Sequence, residues 1–103
     1  MNCKILLVED EPKIRVLIAV NLQRAGYQVE YAASVARAKA LLAAAIPDLL
    51  LLECALPDSS GLAFARRLRA DKSTRALPII LLGAGTRECD TVTGLDSWAD
   101  DYI

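Results

Sequence analysis

Short apolar runs alternate with longer amphipathic stretches along the chain. The first run, Lys4 to Val8, is apolar at nearly every position and is followed directly by the acidic triplet at 9–11. Continuous apolar runs of this length are typical of strands that are buried on both faces of a parallel sheet. On this pattern we predict strands over residues 4–8, 28–32, 48–54, 78–82 and 100–103.

Helical periodicity fills the segments between the apolar runs. Pro12 suits a first helical position, and Gly26 suits a left-handed residue just past a helix end. Ser34 is predicted to cap a second helix, Ser59, Ser60 and Gly61 open a third, and a shorter helix is predicted over 87–97. The residues predicted to face the sheet from the first helix are Ile14, Leu17, Ile18, Leu22 and Ala25, and the cations predicted to face solvent on and after the third are Arg66, Arg67, Arg69 and Lys72.

This alternation of strands and helices indicates a parallel sheet that is covered on both faces. At 103 residues the chain has room for one domain, over residues 1–103. In open sheets of this kind, function is located beyond the carboxyl ends of the strands. Glu9, Glu53 and Gly83 all lie at such ends, so we expect them to line one crevice.

Composition and charge narrow the class of protein. A formal net charge of −1 gives no reason to expect direct contact with nucleic acid. No apolar run is long enough to span a bilayer, and the N-terminus has no signal-peptide pattern, so we expect a cytoplasmic protein without membrane contact. Because Cys3, Cys54 and Cys89 are widely spaced and the chain has no histidine, we expect reduced thiols rather than a zinc site. The chain also lacks nucleotide-binding and hydrolase signatures, so we do not expect an enzyme.

Carboxylates from neighbouring strand ends meet in the predicted crevice. Glu9, Asp10 and Glu53 would repel one another there unless protons or a hard cation compensate their charge. Bound Mg²⁺ is one interpretation, and an ordinary solvated acidic loop is the other.

Five segments of the chain carry a resemblance to a known family. They are ILLVEDEP at 5–12, PDLLLL at 47–52, LPDSSG at 56–61, LPIILL at 77–82, and the segment 94–103 that begins GL and ends ADDYI. In this order the chain resembles the receiver domain of bacterial response regulators of the OmpR/PhoB type. The resemblance implies a flavodoxin-like fold, a doubly wound five-stranded parallel sheet of order 2-1-3-4-5. It also implies that Glu9 and Asp10 hold Mg²⁺ beside the phospho-acceptor position, Glu53, with a further contact from the backbone carbonyl of Ala55.

The chain departs from the family pattern mainly at the positions that carry the family's phosphorylation chemistry. Glu53 replaces the phospho-acceptor aspartate, and its extra methylene moves the carboxylate into the volume that a phosphoryl group needs. The switch hydroxyl at the end of strand four is replaced by Gly83, which has no donor, although the switch aromatic is retained as Tyr102. Trp98 stands where the family has a small residue. The family's lysine after strand five and its last helix would follow Ile103, so the domain is incomplete relative to the family.

Several interpretations of Glu53 remain open. The three alternatives are a tolerated carboxylate in a receiver that stopped using phosphate, a built-in mimic of phospho-aspartate, and a residual phosphate acceptor. We expect a signalling receiver, linked to a sensor histidine kinase, that controls a fused or partner output domain in transcription. The alternative is a constitutive pseudo-receiver that serves only for interaction or dimerisation. Without a last helix, one sheet face stays partly bare, so we also expect self-association, with Trp98 and Tyr102 near the contact.

Overall fold

One parallel sheet of five strands organises the part of the chain that the computed structural model describes, residues 3–83 and 99–103. The elements are β1 (Lys4–Val8), α1 (Pro12–Arg24), β2 (Gln28–Ala32), α2 (Val35–Ala44), β3 (Leu49–Glu53), α3 (Gly61–Ala70), β4 (Ile79–Leu82) and β5 (Asp101–Tyr102). The strand order β2-β1-β3-β4-β5 confirms the predicted order. The helix predicted over 87–97 lies outside the described residues. None of the described helices combines the length and the apolar composition that a bilayer crossing requires.

Each face of the sheet has its own core, because alternate strand residues point to opposite faces. On one face, Leu6, Leu50 and Ile79 are buried together with apolar side chains of α2 and α3. On the other face, Leu7 and Leu51 pack against α1. The inner strands β1, β3 and β4 are therefore largely apolar on both sides, as their continuous apolar runs predicted, whereas β2 carries polar residues and is partly exposed.

Helix α1 covers its face of the sheet less completely than the sequence predicted. Of the expected inward residues, Ile18 and Leu22 do pack against the sheet. Ile14 and Leu17 are instead 47% and 63% exposed, and Ala25 is exposed just past the helix end. The prediction was wrong for these three residues. Leu17 lies roughly 100° around the helix from Ile18, which turns it away from the sheet.

Side-chain hydrogen bonds fix the ends of α2 and α3. Ser34, as predicted, and Ser60 cap the two helices by accepting hydrogen bonds from backbone N–H groups of the first turn. Arg69, near the end of α3, was expected to face solvent, but its side chain is only 16% exposed. It donates hydrogen bonds to the backbone carbonyls of Arg75 and Leu77, which ties the end of α3 to the segment before β4.

The cysteines are not all reduced thiols. Cys3 is free, whereas Cys54, fully buried just after β3, is disulfide-bonded. The expectation was therefore wrong for Cys54. Cys89 lies outside the described residues.

Candidate functional site

The carboxyl ends of β1, β3 and β4 meet at one edge of the sheet. Val8 pairs with Leu52, so Glu9, the next residue after β1, lies beside Glu53 at the end of β3. On its other side Glu53 pairs with Leu82, the last residue of β4. The strand register thus brings together two of the carboxylates that the sequence singled out.

Glu9 is the buried carboxyl group of this edge, with 2% of its surface exposed. Its Oε1 accepts a hydrogen bond from the backbone N–H of Glu11 at 3.2 Å, whereas its Oε2 has no donor among the described residues. Two effects raise the pKa of Glu9 to about 7. The larger is burial, and the second is a hydrogen bond with the Glu53 carboxyl group, which forms when one of the two groups is protonated. Near neutral pH Glu9 therefore keeps its proton in part unless a cation takes its place.

Glu53 is half-buried, and its side chain folds back onto the loop that follows β3. Its Oε1 accepts a hydrogen bond from the backbone N–H of Ala55 at 3.2 Å. Ala55 in turn pairs with Ser60 across the same loop. The extra methylene of the glutamate is thus accommodated by a turn of the side chain toward its own backbone.

The remaining predicted site residues have different surroundings. Asp10 is exposed, and its charge adds to the repulsion that raises the pKa of Glu9. Tyr102 lies in β5, where its backbone pairs with Leu81 of β4. Trp98 lies outside the described residues. Of the predicted metal ligands, Glu53 therefore contacts both Glu9 and the backbone N–H of Ala55.

Gly83, at the predicted position of the switch hydroxyl, adopts a left-handed backbone conformation with φ +87°. Its N–H donates to the carbonyl of Ile103 at 2.8 Å, which joins the ends of β4 and β5. Residues other than glycine avoid this conformation because their Cβ atom clashes with the backbone. The chain therefore lacks a hydroxyl at this position and also has a backbone that disfavours one.

The donors at this edge suit a hard cation held by two carboxylates. Glu9 offers an unpartnered buried oxygen, and a cation could replace the proton between Glu9 and Glu53. Mg²⁺ is commonly bound through one or two carboxylates, with water completing its shell. No cluster of three or more acidic, histidine or cysteine side chains arranged for a metal is found within residues 3–83 and 99–103.

Sequence reasoning missed two residues that shape this edge. Asp58 accepts hydrogen bonds from the backbone N–H groups of Val35 and Ala36, at 3.0 and 2.9 Å. Gly61 lies so close to β3 that a Cβ atom there would be 2.1 Å from the backbone oxygen of Glu53. Both residues belong to the segment 56–61, which was used as one of the segments that resemble the family and as the turn before α3, with no contact predicted for either residue.

Comparisons with known proteins agree with this geometry. Residues 5–103 match the family described as the response regulator receiver domain. The chain is 46% identical over 99 residues to the phosphate regulon transcriptional regulatory protein PhoB of Pseudomonas aeruginosa, which covers 96% of this chain and 43% of that protein. It therefore spans less than half the length of this curated relative.

Solved structures give the same fold. The receiver domain of a sensor histidine kinase from Pseudomonas aeruginosa, with magnesium coordinated in its active site cleft, has a TM-score of 0.87 and 32% identity, over 100% of this chain and 84% of that chain. The BeF3-activated receiver domain of RstA from Klebsiella pneumoniae has a TM-score of 0.85 and 34% identity, over 97% and 83% of the two chains. These matches confirm the predicted flavodoxin-like fold. The chain belongs to the response regulator receiver domain family of two-component systems, and its curated relatives are of the PhoB type.

Proposed function

We propose that this domain is a signalling receiver in which Glu53 has replaced phosphorylation, so that the phosphorylated state is either lost or permanently mimicked. It acts on a fused or partner output domain and is not itself an enzyme. The observation that carries this proposal is the placement of Glu53 beside Glu9 at the end of β3, with its side chain bonded back to Ala55.

The surroundings of Glu53 argue against its use as a phospho-acceptor. An accepting carboxylate needs an ionised oxygen that is aligned with the incoming phosphorus. One oxygen of Glu53 accepts a hydrogen bond from the N–H of Ala55, and the carboxyl group lies against Glu9, whose pKa is raised to about 7 by burial and then by a hydrogen bond to Glu53. Both contacts lower the nucleophilicity of the Glu53 carboxylate and turn it away from a phosphoryl donor.

Mg²⁺ is the cofactor that this edge would hold. We place it on the Glu9 and Glu53 carboxylates, with Asp10 and the backbone carbonyl of Ala55 as the further protein ligands. The ion would supply the positive charge that allows the buried Glu9 and the half-buried Glu53 to be ionised together. The magnesium in the receiver domain of the Pseudomonas sensor kinase supports this assignment.

The partners follow from the family and from the extent of the match. The relative from Pseudomonas aeruginosa is named as a transcriptional regulatory protein, and this chain covers 43% of it. We therefore propose a cytoplasmic domain whose input is a sensor histidine kinase and whose output domain, rather than the receiver, contacts nucleic acid.

A constitutive pseudo-receiver is the second candidate function, and Gly83 favours it. With φ +87° and no hydroxyl, Gly83 cannot close onto a phosphoryl group or a mimic of one. In this alternative the domain takes no signal through the acidic crevice and works only through protein contacts. The apolar strip on α1, defined as Ile14, Val16, Leu17 and Val20, is then its surface for self-association.

Magnesium titration separates the two candidates. Amide chemical shifts of Glu9, Asp10 and Glu53 are followed by NMR as Mg²⁺ is added. The signalling receiver predicts a saturable response that Glu9→Gln abolishes. The control is Glu30→Gln, which removes a carboxylate that is paired with Lys4 on the distant edge of the sheet. An absence of any response in the wild type would favour the constitutive pseudo-receiver.

A further inference from the structure

Asp58 links two parts of the fold that are far apart in sequence. Its two carboxylate oxygens accept hydrogen bonds from the backbone N–H groups of Val35 and Ala36, at 3.0 and 2.9 Å. The same two hydrogen bonds, that of Val35 first, hold the pKa of Asp58 below its usual value. The tip of the β3–α3 loop is thereby attached to the first turn of α2.

This attachment is not needed to begin α2. Ser34 already caps the helix by accepting a hydrogen bond from the N–H of Arg37 at 3.2 Å. Asp58 satisfies the two earlier N–H groups, which water could equally satisfy at an exposed helix end. The distinctive effect of Asp58 is therefore on the loop that carries it.

The loop between β3 and α3 is also the loop that borders the acidic crevice. It is closed by the pairing of Ala55 with Ser60 and by the hydrogen bond from the N–H of Gly61 to the carbonyl of Cys54 at 2.8 Å. Ala55 contacts the Glu53 carboxylate within the same loop. A movement of the loop tip would therefore shift the groups that face the crevice.

We infer that Asp58 is a positioning residue for the crevice: by clamping the loop tip to α2, it holds Ala55 and the Glu53 carboxylate in place for a divalent cation. The part of this inference that concerns the cation rests on the function proposed above for Glu9 and Glu53. Asp58 itself does not bind the ion. Coupling between the Asp58 hydrogen bonds and cation binding is reciprocal. If these hydrogen bonds strengthen the binding of the cation, the bound cation must stabilise the hydrogen bonds by the same factor.

The test compares Asp58→Ala and Asp58→Asn with Asp71→Ala. Asp71 is a matched control, since it is also an exposed carboxylate that accepts a backbone N–H, that of Ser73 at 2.9 Å, and that has a lowered pKa. It lies at the other end of α3, just after the helix.

The first measurement is hydrogen exchange of the Gly61 amide in EDTA, which requires no metal. We expect Asp58→Ala to accelerate this exchange about fivefold or more, whereas Asp71→Ala leaves it unchanged. Asp58→Asn keeps the shape but retains only one of the two acceptor oxygens, so its effect should be intermediate. Unchanged exchange at Gly61 in Asp58→Ala would overturn the inference, whatever the metal does.

The second measurement is the dissociation constant of Mg²⁺ itself, from NMR titration. We expect it to rise about three- to tenfold in Asp58→Ala and to stay the same in Asp71→Ala. In the wild type, Mg²⁺ should slow exchange of the Val35 and Ala36 amides by the same factor. Equal constants in the wild type and Asp58→Ala would overturn the role in cation binding. A wild type that takes up no Mg²⁺ would overturn the proposed metal site, and the Gly61 exchange then decides alone whether Asp58 positions the loop.

Discussion

Glu9 and Glu53 lie side by side at the ends of two neighbouring parallel strands, where burial, followed by a hydrogen bond to Glu53, raises the pKa of Glu9 to about 7. Glu9 is almost fully buried and has an oxygen without a donor among the described residues. Such a pair stores electrostatic repulsion that either protonation or a cation can relieve. The stability of the domain should therefore depend on pH and on divalent ions at this one point.

In the absence of divalent ions, the free energy of unfolding should fall as the pH rises from about 4.5 to about 7. The pKa of Glu9 is raised in the folded state, from its usual 4.5 to about 7. The folded state therefore binds the proton more tightly than the unfolded state does. The stabilisation is fully present below pH 4.5 and is lost as the pH rises through 7. The effect should be on the order of 1–3 kcal/mol.

Urea denaturation in EDTA at a series of pH values measures this dependence. Glu9→Gln should flatten it, because the amide stays neutral at every pH. Glu30→Gln is the control, since Glu30 is paired with Lys4 on β1 and is 43% exposed. If the pH dependence survives in Glu9→Gln, the proton is not held by this pair.

Small phosphodonors such as acetyl phosphate should leave the chain unmodified in the presence of Mg²⁺. The Glu53 carboxylate is bonded to the N–H of Ala55 and is one methylene too long for in-line attack. Glu53→Asp should gain one phosphoryl group. Intact-mass spectrometry decides both results. Stoichiometric phosphorylation of the wild type would contradict the proposed role of Glu53.

Restoring the acceptor should not restore the whole switch, because of the backbone at Gly83. Its φ of +87° disfavours any side chain, so Gly83→Thr should destabilise the domain by about 1–2 kcal/mol. We therefore expect the double variant Glu53→Asp/Gly83→Thr to accept phosphate without a full phosphate-dependent change in self-association. Sedimentation of the phosphorylated variant tests this, and a complete switch would show that the backbone at residue 83 adapts readily.

Local patterns of the sequence were sufficient to predict most of the sheet. The bounds of β1 and β2 were predicted to the residue, because the apolar run of β1 ends abruptly at Glu9 and because Gly26 and Ser34 mark the helix ends on either side of β2. The cap Ser34 was also predicted, since a cap is a local feature of the chain, whereas Ser60 was placed only at the start of the third helix. The juxtaposition of Glu9 and Glu53 followed from the rule that parallel strands align their carboxyl ends.

The errors concern contacts between residues distant in sequence. Asp58 binds an element that precedes it by more than twenty positions, and Arg69 turns inward to carbonyls that lie beyond the end of its own helix. No local pattern reports either contact. The exposure of Leu17 likewise depends on how α1 is rotated about its own axis on the sheet. Helical periodicity does not determine this rotation closely, because the apolar stripe of a helix is wide.

Gly61→Ala should destabilise the domain more than Gly26→Ala does. At Gly61 the added Cβ would lie 2.1 Å from the backbone oxygen of Glu53, so α3 or β3 must move. We expect a loss of about 2–4 kcal/mol there. At Gly26 the Cβ meets nothing within 4 Å, and only the strain at φ +101° remains, which should cost about 1 kcal/mol. Chemical denaturation of the two variants gives the comparison. Equal losses would mean that the close approach at Gly61 relaxes without cost.

The apolar strip on α1 should make the chain self-associate at micromolar concentration. Its side chains are 47%, 58%, 63% and 37% exposed at Ile14, Val16, Leu17 and Val20, and contiguous apolar surface of this kind favours burial against another molecule. Leu17→Gln should shift the equilibrium to monomer with a change in stability within about 0.5 kcal/mol, because the side chain is already exposed. Ile46→Gln is the control, since Ile46 is 46% exposed on another part of the surface. Sedimentation equilibrium measures all three proteins. A wild type that stays monomeric would show that the apolar strip remains exposed to solvent without driving association. A dimer that persists in Leu17→Gln would place the contact elsewhere, for example along a sheet edge.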